Sequence, residues 1–399
     1  MRVPILLALV IFIFQIAVDY YLTVVARRRC DSPRAERWQI AEAGFFLVYI
    51  SVWLCLPKKS ESNALLQCQM WMLFAYLTVY FPKTLFVLTD LLASVPILWG
   101  RKRLRPLSWI GLGLAVVAFA SMWWGALCNR CNIQVREVPV KVAGLPESFH
   151  GYRIAQISDL HVGTFGTDTA FILKLVEKIN GLHPDLIVFT GDIVNRHTSE
   201  LVPFVGPLSR LSAPDGVISV LGNHDYGDYY KWPSTRDKEQ NMEWLLDLQI
   251  EMGWELLTNS STVIYGHHPA DSLVIVGVEN WGDAPFPRYG NLSDAYPTPS
   301  DSAVKILLTH NPAHWVEEIA PVDSMRFALT LSGHTHAMQM EVCGLSPAVW
   351  RYPTWGGIYH SPDSLRNLYV NIGAGTVGIP MRLGATPEIT LFTLIPAAL

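Results

Sequence analysis

The first 127 residues carry four apolar segments, at 3–26, 38–56, 64–100 and 107–127, each long enough for the roughly 20-residue span that a bilayer core demands. A soluble core rarely contains four such runs in succession. A cleaved signal peptide would be one short stretch that does not recur. This opening therefore reads as a helical transmembrane region, residues 1–131, of an integral membrane protein. The charge content agrees: only 16% of the 399 residues are charged, against about 25% in soluble domains. The net charge of −4 comes without a basic stripe, so no nucleic-acid partner is expected.

The third segment has 37 residues with Pro82 and Lys83 in its middle, and reads either as one kinked helix or as two short ones. Loop charge decides between them. Arg27, Arg28, Arg29, Arg34 and Arg37 follow the first segment, and Arg101, Lys102, Arg103 and Arg105 follow the third, whereas the intervening loop has only Lys58 and Lys59. Four spans put both arginine-rich loops on one side, which the positive-inside rule makes cytoplasmic, with both termini outside. The expected location is the cell membrane, with the rest of the chain extracytoplasmic. Asp19, Lys83 and Asp90 are ionisable residues within the spans. Lys83 and Asp90 are seven apart and share a helix face. With no further chain of such groups to make an ion or proton path, they read as a polar pair holding the bundle together. Of six cysteines only Cys128 and Cys131 form a motif, C-x-x-C. The next residue is Asn132 rather than the His that haem attachment needs, and one pair cannot make a four-ligand zinc site. A structural disulfide fits the extracytoplasmic position.

Past Cys131 the chain turns to short apolar runs separated by Gly, Pro, Asn and Asp. Residues 153–158, 186–190, 217–221, 273–278, 305–309 and 327–331 read as buried strands, and 169–179 and 239–252 as helices. Alternating strands and helices indicate an α/β layered domain over residues 135–399, reached through a linker at 132–139. Nearly every polar cluster of this half directly follows a strand. Asp159-Leu-His161, Gly191-Asp192, Gly222-Asn223-His224-Asp225, His310 and Gly333-His334-Thr335-His336 are all so placed. Ligand sites of α/β sheets gather at the carboxyl ends of strands, so the clusters are positioned to converge. The glycines allow tight turns and close backbone approach.

Carboxylates, an amide oxygen and imidazoles suit first-row divalent ions such as Mn, Fe, Co or Zn. One carboxylate can bridge two ions. A pair of ions about 3.5–4 Å apart can hold a hydroxide as nucleophile and clamp a phosphoryl group for in-line displacement. The absence of thiolate argues against a structural zinc site. The individual signals differ: D-x-H and G-D are weak, G-N-H-D is moderately specific and G-H-T-H more so. His150, His183, His197, His267, His268, His314 and His360 lie outside the clusters and read as packed or surface residues.

These motifs, in this order, resemble the calcineurin-like metallophosphoesterases. The resemblance runs from about Val135 to the C-terminus and includes Ile157-Ser158-Asp159, Asn195 at the end of G-D-I-V-N, Gly375-Thr376 and Pro387-Glu388-Ile389. The four-span front is similar to the transmembrane subgroup of that family. The resemblance implies a β-sandwich flanked by helices and a two-metal site (Mn, Fe or Zn). Asp159, His161 and His336 are expected on one ion, Asn223, His310 and His334 on the other, with Asp192 bridging. It implies that His224 faces the scissile phosphate as a catalytic group, with Asp225 orienting its ring. Purple acid phosphatases of the superfamily have a tyrosine ligand three residues after the bridging Asp. Asn195 stands there, so a tyrosinate-bound ferric ion is not expected. Many relatives continue the last motif with glycines, whereas this chain has Ala337-Met338-Gln339. Arg382 is the arginine best suited to phosphate, by bidentate contact, with a surface arginine as the alternative. The aromatic run at 350–359 reads as a substrate-facing, bilayer-facing or packed loop.

The function expected is a membrane-anchored, metal-dependent phosphoesterase acting on phosphomonoesters or phosphodiesters. The short tether points to lipid-linked or envelope-associated substrates. A non-catalytic scaffold or sensor on the same fold is the alternative, but such a chain would be free to lose ligands and this one lacks none.

Overall fold

The computed structural model describes residues 5–30, 32–57, 62–268, 270–283, 287–298, 301–322, 326–362 and 365–397. It forms two compact units, Met1–Leu127 with Gly378–Met381, and Cys128–Val377 with Arg382–Leu399.

The first unit is four helices: α1 (Ile5–Cys30), α2 (Pro33–Cys55), α3 (Asn63–Ser94) and α4 (Arg105–Leu127). All four are long and apolar enough to cross a membrane. The third apolar segment is one helix that carries Pro82 inside it and runs on into a 3-10 turn, Val95–Trp99, so the count of four spans stands. Lys58 and Lys59 lie outside the described residues. Apolar side chains such as Leu6, Ile13, Val48, Leu92 and Val117 are exposed on the helices, as lipid-facing surfaces require. The buried charges are paired, but not as expected. Lys83 Nζ lies 2.9 Å from Asp19 Oδ1 and 2.8 Å from Oε2 of Glu42, a further charge within the second span. Asp90 pairs with Arg29 and Arg103 and accepts from the Tyr21 hydroxyl at 2.8 Å. Lys83 and Asp90 therefore take different partners, because seven residues of helix put them about 10 Å apart along the axis.

The second unit is a sandwich of two six-stranded sheets. The first contains β1 (Gln134–Val142), β2 (Arg153–Ile157), β3 (Leu186–Phe189), β4 (Val217–Ser219), β5 (Trp254–Leu256) and β12 (Glu388–Pro396), in the order β1-β12-β2-β3-β4-β5. The second contains β6 (Ser260–Tyr265), β7 (Ser272–Gly277), β8 (Val304–Leu308), β9 (Phe327–Ser332), β10 (Gly357–His360) and β11 (Asn367–Val370), in the order β10-β11-β9-β8-β7-β6. Alternate residues of one strand serve two cores. Ile154, Leu186, Val188 and Ile218 meet Leu273, Ile275, Ile306 and Leu329 between the sheets. Ala155, Ile157, Ile187 and Phe189 pack outward under α5 (Ala170–Asn180) and α6 (Thr235–Glu251), through Ile172, Leu175, Leu245 and Leu248. Burial on both faces explains why these strands read as unbroken apolar runs.

All six expected strands and both helices are present. The six strands not anticipated are short, half-exposed or remote in sequence. The stretch expected as a linker contains the start of β1, which pairs in parallel with β12 from Gln134↔Glu388 onward. As the edge strand it alternates polar and apolar residues and so lacks the continuous run of its neighbours. Cys128 and Cys131 are both free thiols, so the expected disulfide is not formed. Because β2, β3 and β4 are mutually parallel, as are β7, β8 and β9, their carboxyl ends deliver loops to one edge of each sheet.

Candidate metal centre

Seven donor side chains meet at those strand ends. Asp159 and His161 follow β2, Asp192 follows β3, Asn223 follows β4, His310 follows β8, and His334 and His336 follow β9. Five of them, Asp159, His161, Asp192, His334 and His336, have φ between 44° and 75°. Left-handed backbone at non-glycine residues is strained and concentrates at functional sites. Here it folds each loop back so that near neighbours in sequence aim at one centre. Gly191 is left-handed as well, with φ 93°, and a Cβ there would fall 2.5 Å from the Gly222 amide nitrogen, so only glycine lets the two loops pack this closely.

The donors fall into two groups that share Asp192. In the first, His161 Nε2 lies 3.0 Å from His336 Nε2 and 3.5 Å from Asp192 Oδ2, and His336 Nε2 lies 3.2 Å from Asp159 Oδ1. In the second, His310 Nε2 lies 3.2 Å from the same Asp192 Oδ2, and His334 Nδ1 lies 3.3 Å from His310 Nε2 and 2.8 Å from Asn223 Oδ1. Imidazole nitrogens facing each other at such distances are lone-pair donors aimed at a common point, which fits a shared cation. The surroundings set donor direction. His310 Nδ1 donates to the Thr190 carbonyl at 2.7 Å, freeing Nε2 as the ligand atom, and Asn223 Nδ2 donates to the Tyr229 hydroxyl at 2.9 Å, turning its amide oxygen inward.

Electrostatics point the same way. Burial works against charge on the Asp192 carboxylate, yet His310, His224 and His161 hold it well below the usual range. Asp159 is likewise lowered, burial being outweighed by His336. Burial pushes the His310 imidazole down, but Asp192 beside it prevails and leaves it up at about 9. His334, depressed by burial and by His310, falls to about 3. Two buried carboxylates kept ionised among imidazoles form a charge pattern that divalent cations complete.

The catalytic candidates are placed differently from expectation. His224 lies beside the donors, its ring edge-on to His161 and stacked on Tyr229. Its Nδ1 is 2.6 Å from the Asn195 carbonyl oxygen, not near Asp225. Asp225 instead accepts the backbone amides of Asp192 and Gly222 through Oδ2, and of Ile193 and Val194 through Oδ1, at 2.8–3.3 Å. It clamps the β3 and β4 loops together, and the backbone of Asn195 orients the histidine. Arg382 also departs from expectation. Its side chain is fully buried and donates to the carbonyls of Gly375 (2.7 Å), Ile372 (3.0 Å) and Ala385 (3.1 Å), with Nη2 3.3 Å from His336 Nδ1. A guanidinium committed in this way has no face left for a phosphate. Tyr229 and Tyr352, which the motifs do not include, complete the surroundings. The Tyr352 hydroxyl is 2.8 Å from His334 Nε2, so the aromatic run at 350–359 turns at least this residue toward the donors.

Two layers of sheet presenting histidines, carboxylates and an amide oxygen at their joined edges define a metal-dependent phosphoesterase. The chain belongs to the calcineurin-like phosphoesterase family: the family model "Calcineurin-like phosphoesterase" matches residues 152–338, and "Probable Calcineurin-like phosphoesterase, transmembrane domain" matches residues 1–130. It is 30% identical over 271 residues to the uncharacterized metallophosphoesterase YkuE of Bacillus subtilis, covering 66% of this chain and 85% of the relative. It is 31% identical to the transmembrane protein with metallophosphoesterase domain of Danio rerio, over 65% of this chain and only 57% of the relative. It is 28% identical to the UDP-2,3-diacylglucosamine pyrophosphatase LpxG of Chlamydia trachomatis, over 62% of this chain and 85% of the relative.

Proposed function

We propose that this enzyme hydrolyses a phosphoester or phosphoanhydride bond of a lipid-linked or envelope-associated substrate at the outer face of the cell membrane. The observation that carries the hydrolytic reading is Asp192, whose single Oδ2 lies within 3.5 Å of one imidazole from each donor group, His161 and His310. Asp159, His161 and His336 would hold one divalent ion (Mn, Fe or Zn) and Asn223, His310 and His334 the other, with Asp192 between them. The ions would supply Lewis acidity and an activated water for in-line displacement at phosphorus. The chain's own part is to fix donor directions and to manage the proton. With Nδ1 held by the Asn195 carbonyl, His224, which lies within reach of His161 and Asp192, would turn its other ring nitrogen to the substrate and protonate the leaving oxygen. Tyr229, stacked on that ring, restricts its rotation.

The outer location rests on the two arginine-rich loops and an even number of spans between them. The substrate class rests on the membrane anchor and on the LpxG relative, whose name specifies a diacylated sugar nucleotide.

The test uses purified full-length protein. Bound metal is measured, and p-nitrophenyl phosphate and bis-p-nitrophenyl phosphate are assayed with added Mn. The wild type should bind metal and turn over at least one probe, whereas Asp192→Ala should do neither. A wild type without metal or turnover would overturn the reading. A phosphatase reporter fused at the C-terminus should be active, because it would lie outside the cytoplasm; an inactive but stable fusion would reverse the orientation.

A further inference from the structure

Thirteen large hydrophobic residues of the second unit are exposed among the described residues, and five of them fall within the thirteen residues 338–350. They are Met338 (47% exposed), Val342 (57%), Leu345 (75%), Val349 (47%) and Trp350 (88%). Glu341 is the one charged residue in that stretch. Scattered single apolar residues on a surface need no explanation, but a run of this density does.

The segment is also built to hold these side chains out. Val342 and Leu345 exchange backbone hydrogen bonds at 2.9 and 3.1 Å across a two-residue tip, Cys343 (φ 53°) and Gly344 (φ 77°), with both tip residues left-handed as the tightest hairpin turn requires. Its base is fixed. Glu341 N donates to the Leu383 carbonyl and Leu383 N to the Gln339 carbonyl, both at 2.8 Å, and the Ser346 hydroxyl donates to the Ala337 carbonyl at 2.6 Å. The apolar tip therefore projects from a braced platform rather than a slack loop. The platform also borders the chemistry: it begins two residues after His336 and ends two residues before Tyr352, whose hydroxyl meets His334.

We propose that residues 338–350 are a membrane-docking surface, in which Val342, Leu345, Val349 and Trp350 insert into the headgroup region of the bilayer that carries the four spans. Lipid is favoured over a protein partner by the tether. Only residues 128–133 separate α4 from β1, and six residues extend at most about 20 Å, so this unit is always within reach of a bilayer. Composition agrees, since a tryptophan beside aliphatic residues, with charge held to the margin, is the pattern of interfacial anchors. Docked in this way, the platform would bring the metal centre to the level of lipid headgroups, where a lipid-linked phosphate is presented. The docking inference itself rests only on the four helices crossing a membrane and needs neither the substrate nor the orientation proposed above.

The experiment reconstitutes the full-length protein in phosphatidylcholine–phosphatidylglycerol vesicles and labels it with a lipid-partitioning diazirine. Labelled peptides are then mapped by mass spectrometry. The peptide spanning 338–350 should be labelled to the level of the span peptides and several-fold above those carrying Ile250 and Tyr265, which are as exposed (68% and 71%) but lie elsewhere on the unit. Leu345→Asp combined with Trp350→Asp should abolish that excess while leaving turnover of soluble p-nitrophenyl phosphate unchanged. Labelling of 338–350 at the Ile250 level in the wild type would overturn the proposal, as would protection of the segment by contact with a second copy. Because the wild-type labelling needs no activity, a chain without phosphoesterase turnover would defeat the function proposed above and still leave the docking surface to be judged.

Discussion

The Tyr352 hydroxyl lies 2.8 Å from Nε2 of His334, whose other ring nitrogen faces Asn223 and His310. Burial holds the phenol up at about 12, so it stays protonated and its oxygen is free to accept. A proton on His334 Nε2, donated to that oxygen, leaves Nδ1 with the lone pair a metal needs. Tyr352→Phe removes the acceptor and little volume. Losing such a supporting bond typically costs about 10- to 100-fold in metal affinity. Mn titration of chelator-stripped full-length protein should show that loss with an unchanged thermal midpoint. Equal affinity in the variant would mean that the tyrosine packs and does not position.

His224 and Asp225 adjoin in sequence and separate in role, and two substitutions should show it. His224→Ala takes away a ring that touches no strand pairing, so metal content should persist while turnover falls by about 10²- to 10⁴-fold, the usual contribution of a positioned proton donor. Asp225→Asn replaces a carboxylate accepting four backbone amides with a group that has one acceptor oxygen. Each stranded amide costs about 1–3 kcal/mol. This variant should melt earlier and lose metal and turnover together. A His224→Ala protein without metal would instead make that histidine a ligand.

These two residues also show what the sequence could and could not reveal. The seven candidate donors were legible because each follows a strand, six of them in short motifs and His310 by its place at the end of an apolar run. The four spans were legible from apolar length together with the arginine-rich loops, which decided that the third segment is one span. Asp225 was not, since a carboxylate beside a histidine looks like its partner until the fold turns it toward the loop behind. The orienting group is a backbone carbonyl, that of Asn195, and a carbonyl has no side-chain signature at all. Tyr352 reaches His334 across 18 positions and Lys83 reaches Glu42 across 41, separations that no motif spans. β1 stayed hidden because its pairing partner, β12, lies at the far end of the chain.

Arg382 tests the corrected reading of a buried guanidinium. Were it a phosphate contact, Arg382→Ala would raise KM and leave stability intact. In the structure its nitrogens satisfy three carbonyls that no solvent reaches through it, and truncation leaves a cavity as well. Loss of at least about 3 kcal/mol is expected from the unpaired carbonyls alone. Thermal or denaturant unfolding of the solubilised protein should show a large drop before any kinetic comparison is possible. A stable variant with raised KM would restore the phosphate role.

Glu200 supports the histidine from one step further back, and its ionisation should be visible in stability. Its Oε2 accepts the Asn195 amide at 2.6 Å, and Asn195 in turn holds His224. Burial raises this carboxyl from 4.5 to about 7, only partly countered by the Asn195 amide and Arg196. Between those values the folded chain keeps a proton that the unfolded chain has released, so this group's contribution to stability is complete below about pH 4.5 and lost as pH rises through 7. The difference amounts to about 3 kcal/mol at most. Glu200→Gln retains an acceptor oxygen for Asn195 and removes the titration. The thermal midpoint of the variant minus that of the wild type should therefore grow from pH 5 to 7 and level off above. A difference that shrinks over that range would show that the folded state favours the Glu200 carboxylate, with Arg196 rather than burial in control.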